Sequence, residues 1–90
     1  DYLPEELYGI FQSQCKKNGY EADEEALAYA NEFFTERYNH RDEKYANARD
    51  VRNFFEKAVV EHANRIATDE NPSDEELSTL KLVDLSGIEL

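Results

Sequence analysis

Sharp bends, cross-links and positive charge are all scarce in this sequence. Ninety residues include one cysteine, two prolines, three glycines and no tryptophan. The single thiol, Cys15, excludes an internal disulfide and suits a reducing compartment. So few glycines and prolines argue against a turn-rich all-β fold. Ten Lys and Arg stand against 21 Asp and Glu, a formal charge of −11 and a pI near 4.5. Phosphate affinity comes largely from neutralising cations, so nucleic acid is a poor partner, as is an anionic membrane surface. No apolar run approaches the ~18 residues of a membrane span. The opening Asp1-Tyr2-Leu3-Pro4-Glu5-Glu6 lacks the basic and apolar regions of a signal peptide. The expectation is an acidic, soluble, cytoplasmic module.

Common ligand motifs are missing as well. The glycines are Gly9, Gly19 and Gly87, which rules out both the P-loop and the dinucleotide fingerprint within these residues. Cys15, His40 and His62 fall at no zinc-ligand spacing. A calcium loop counted from Asp69 would find Asp74 where glycine is needed and Leu80 where glutamate is needed. The acidic run from Asp69 to Glu76 therefore reads as a solvated helix start.

What is present is a helical period. Six tyrosines and five phenylalanines supply a core, although a chain this short buries only ~60% of its unfolded surface. That allows one modest core and no enclosed chamber. Leu7, Ile10, Phe11 and Cys15 share a face of a helix over about residues 4–18. Pro4 suits its first position, Glu5 and Glu6 its first turn, and Gly19 its end. A second helix follows from an Asp23 cap to about Tyr38, with Ala26, Leu27, Ala30, Phe33, Phe34 and Tyr38 as its stripe. The polar stretch 39–44 reads as a loop. A third helix, Ala48 to Ala67, has the clearest stripe: Val51, Phe54, Phe55, Ala58, Val59, His62, Ala63 and Ile66. Asn47 is its cap, and Asp50 can close an approximate capping box. After Pro72, the Ser73-x-x-Glu76 box stands ahead of Leu77 and Leu80 and predicts a short fourth helix of two turns. Residues 81–90 read as a tail, a short extended segment or the start of a linker.

Few side chains suggest chemistry. Cys15 lies on an apolar stripe, as buried structural thiols do. His62, flanked by Phe55, Val59 and Ile66, suits a packed or interface histidine better than a base. The tyrosines fit packing with their hydroxyls at the surface. Arg49 stands out because the capping signals place it in the first turn of the longest helix. That turn is electropositive, its N–H groups lack helical acceptors, and a guanidinium adds a forked donor for phosphate oxygens. The competing reading is a solvated arginine paired with Asp50 or Glu56, and spacing alone favours it.

The string Asn47-Ala48-Arg49-x-Val51-Arg52-Asn53-x-Phe55-Glu56-x-Ala58, continuing to Ala63-Asn64-Arg65, resembles the C-terminal helical lid of AAA+ ATPases. The group it most resembles is that of stage V sporulation protein K and the red-type Rubisco activases. Asp1 to Leu7 with Ile10-Phe11 is similar to the approach to that lid, and Tyr20 with Glu25-Ala26 to the approach to its second helix. The resemblance covers residues 1 to about 67, then more weakly Leu77-x-x-Leu80 to Leu85. Departures are Ala46 for the family's usual Gly, Tyr45 for Phe and Leu3 for Thr.

The resemblance implies an all-α bundle of three main helices plus a short fourth, with the lid over 1–80 and a tail over 81–90. By position Arg49 becomes the sensor-2 arginine, contacting ATP together with Asn47 and Ala48. The P-loop, Walker B acids, sensor 1 and arginine finger belong to a large subdomain outside these residues, so the lid is not catalytic alone. ATP would be held with Mg in the parent protein, and no metal by these residues. The implied partners are that large subdomain and neighbouring subunits of a ring. The other expectation is a stand-alone acidic helical adaptor that binds a protein partner through an apolar groove.

Overall fold

The computed structural model describes residues 2–40 and 47–90. Among the described residues, five helices and two very short strands follow in order: α1 (Pro4–Lys17), β1 (Glu21–Ala22), α2 (Glu24–Asn39), α3 (Ala48–Ala67), α4 (Asp74–Ser78), β2 (Thr79–Leu80) and α5 (Leu82–Leu85). The expected small all-α bundle is what forms, with a minimal parallel sheet added to it.

Helix ends follow local chemistry. Glu6 accepts the Leu3 N–H at 2.9 Å, which fixes the approach to α1. At the other end Gly19 has φ +79°, the left-handed conformation that glycine adopts at little cost. There Tyr20 N–H donates to Cys15 O at 2.8 Å and Gly19 N–H to Lys16 O at 3.2 Å, the two bonds of a Schellman ending. Asp23 caps α2 by accepting the Ala26 N–H at 2.9 Å. Ser73 and Glu76 form the expected reciprocal box on α4, at 3.1 and 3.0 Å. The polar loop expected over 39–44 starts later than supposed, because Asn39 ends α2 and His40 caps it. Residues 41–44 of that loop, with Tyr45 and Ala46, lie outside the described residues.

The core sits where α1 meets α2 and α3. Phe11, Phe34 and Phe54 are fully buried from three different helices, with ring centroids 5.2–6.1 Å apart. Phe33 joins them, 4.7 Å from Phe54. Along α3 the buried positions are Val51, Phe54, Phe55, Ala58 and His62. The stripe is narrower than expected at its end, for Ala63 is exposed and Ile66 only half-buried. Beyond α3, Leu77 is exposed while Leu80 is fully buried. The fourth helix is correspondingly shorter than two full turns, since the chain must turn extended for Leu80 to reach the core.

The segment from Thr79 onward does more than trail. β2 pairs in parallel with β1, Glu21 opposite Thr79 and Ala22 opposite Leu80. Asp23 N–H extends that ladder to Leu80 O at 3.1 Å. α5 then packs on α2 and α3, burying Leu85 and, just beyond, Ile88. An ion pair fixes the arrangement. Arg65 at the end of α3 donates from Nε to Asp84 Oδ1 at 2.8 Å and from Nη2 to Asp84 Oδ2 at 2.9 Å. Residues 81–90, expected as a tail or linker start, are therefore anchored by burial and by a forked charge pair.

Candidate functional site

The start of α3 is built by Asn47. Its backbone is extended (φ −139°, ψ −173°), and its carbonyl oxygen accepts the first helical bond, from Val51 N–H at 3.2 Å. Its side-chain Oδ1 accepts from the N–H of Arg49 at 2.9 Å and of Asp50 at 3.3 Å. This refines the sequence-based expectation of free N–H groups in that turn. Two of them are satisfied by the cap, and the Ala48 N–H stays without an acceptor among the described residues. Asn47 thus acts first as the cap, with its amide NH2 remaining as a donor.

Arg49 is exposed, and its guanidinium has no hydrogen bond or ion pair among the described residues. The pairing with Asp50 or Glu56 that spacing favoured does not form. Asp50 turns instead to Arg37 near the end of α2, with Arg37 Nη2 3.5 Å from Asp50 Oδ2 and side-chain exposures of 27% and 21%. The approximate capping box expected from Asp50 back to Asn47 gives way to this cross-helix pair. Arg52 and Asn53, one turn further on, are exposed on the side of the helix that Arg49 shares.

The other sequence candidates are engaged elsewhere. Cys15 is buried, and that burial pushes its thiol up to about 11. His62 is 4% exposed, donates from Nε2 to Glu76 O at 2.9 Å and meets the Tyr20 ring edge-on at 5.5 Å. That Nε2 bond holds α4 to α3. Tyr29 reaches α5 through its hydroxyl, which donates to Ser86 O at 3.3 Å. No group of three or more potential metal ligands occurs among the described residues. No helix there is long and apolar enough to cross a membrane.

Two elements escaped the sequence reading. Arg37 carried no visible signal, because its partner is 13 residues away across a loop. Asp84 had one: it sits three residues after Lys81, whose N–H it accepts at 2.9 Å. Burial alone would raise its carboxyl's pKa. The Arg65 hydrogen bonds, the Lys81 N–H and the nearby positive charge outweigh that and hold it below the ordinary carboxylate value.

Residues 3–89 match the family described as the AAA lid domain. The chain belongs to that family. A search of curated proteins gave no match. The family match runs through β2 and α5, so the lid takes in most of the segment that local sequence reading had set apart as a tail. Within the lid, Arg49 occupies the exposed mouth of the longest helix. The fold clamps that helix at both ends, by Arg37–Asp50 and by Arg65–Asp84.

Proposed function

We propose that this lid serves an ATPase of the stage V sporulation protein K and red-type Rubisco activase group, in the cytoplasm, and that Arg49 is its sensor-2 arginine. The observation that carries the reading is an exposed guanidinium, unpaired among the described residues, in the first turn of the longest helix. The donor set fits a phosphate: Arg49, the free Ala48 N–H and the Asn47 amide lie beside one another at the positive end of a helix dipole. Those three groups would contact ATP held, with Mg, by the large subdomain of the same parent chain. Hydrolysis changes the charge that Arg49 feels. Its attraction therefore differs between nucleotide states, and that difference is what can shift lid angle and, through neighbouring subunits, ring assembly.

Replacing Arg49 in the parent ATPase tests this. Arg49→Ala should lower kcat by about a hundred- to a thousandfold, as loss of one preorganised donor to charge developing in the transition state does. Folding stability should change by less than about 0.5 kcal/mol, because the side chain is exposed and unpaired. An unchanged turnover rate would leave the adaptor reading, in which the helices serve a protein partner and Arg49 has no nucleotide role.

A further inference from the structure

We propose that Arg37 is a positioning residue for the Arg49 site: by neutralising Asp50, it lets the first turn of α3 accept an anion. This rests on the nucleotide reading above. The reasoning begins with a conflict of charge. Asp50 directly follows Arg49, so a phosphate drawn to that guanidinium meets a carboxylate in the same turn. Like charges at such range oppose binding, most of all away from bulk water. Arg49 is poorly placed to cancel Asp50 itself, because successive residues on a helix do not face each other.

The counter-charge comes from another element. Arg37 reaches across from α2 and sets Nη2 3.5 Å from Asp50 Oδ2. Both side chains are mostly covered, 27% and 21% exposed, so salt screens the pair less than it would a surface pair. Asp50 is thereby occupied from the α2 side, and Arg49 keeps its charge for a ligand. Arg37 touches no nucleotide in this account. It acts through Asp50.

The test uses the parent ATPase with ATP as the probe, reading KM and kcat separately. Arg37→Gln should raise KM for ATP about fivefold, with kcat altered less than about twofold. Asp50→Asn should leave KM at or below the wild-type value, and Arg37→Gln combined with Asp50→Asn should return it to within about twofold of wild type. Arg37→Lys, which keeps the charge, should also stay within about twofold. A pair that merely clamps α2 to α3 predicts the opposite, since removing either partner or both would impair the site alike. The proposal is overturned if KM is unchanged in Arg37→Gln, if the double variant is as weak as Arg37→Gln, or if Asp50→Asn alone raises KM. Should Arg37→Gln fail to fold, Asp50→Asn and Arg37→Lys still decide the matter. An unaffected Arg49→Ala sinks the nucleotide reading itself. An impaired Arg49→Ala beside a normal Arg37→Gln sinks only the role given to Arg37.

Discussion

Asp84 is 1% exposed yet charged, and three hydrogen bonds from Arg65 and Lys81 explain why that is tolerated. Removing one partner of such a pair leaves an uncompensated buried charge. Arg65→Met should therefore cost about 3 kcal/mol, read as a shift in the urea midpoint. The same pair predicts a pH dependence. With the folded carboxyl held below its ordinary value, its contribution is fully present above about pH 4 and is lost as pH falls through the lower folded value. In Asp84→Asn that acid dependence should vanish, so the stability gap to wild type narrows toward pH 2. A gap constant from pH 7 to pH 2 would contradict it. At this scale the sequence was only partly informative. Arg49's place followed from the Asn47 cap, a local signal. Its lack of a partner did not, because Arg37 had to arrive from another helix to occupy Asp50.

Among the elements, α3 could be read almost to the residue, and the reason is physical. Its cap, its stripe and its terminating Asp69-Glu70-Asn71-Pro72 are all encoded within the segment. Asn47→Ala removes the side-chain acceptor for two N–H groups and should cost about 1 kcal/mol, or roughly 4–8 °C in Tm for a domain this size. The segment α5 was not legible. Four residues give no period, and Leu85 is buried only because α2 and α3 supply the surface for it. The β1–β2 bridge was invisible for the same reason, since each two-residue strand finds its partner far away in sequence. Leu85→Ala tests whether α5 is integral to the lid. A loss of about 2–4 kcal/mol is expected for a fully buried leucine, whereas a loose tail would lose almost nothing.

Taken whole, the lid carries a charge of −11 on 90 residues, and such an excess repels itself in the compact state. Raising NaCl from about 20 to 300 mM, which shortens the Debye length severalfold, should raise Tm by a few degrees. A falling Tm would mean that attractive pairs, Arg37–Asp50 and Arg65–Asp84 foremost, outweigh the repulsion. The parallel bridge joining residues 21–22 to 79–80 has a further effect, on the order of assembly. A nascent chain leaving the ribosome could form α1, α2 and α3 in turn, but the bundle would lack its closing strand and α5 until residues 79–88 had emerged as well. Until then the surfaces that Leu80, Leu85 and Ile88 later cover would face solvent, so synthesis, rather than helix formation, would set when this lid becomes safe from its neighbours.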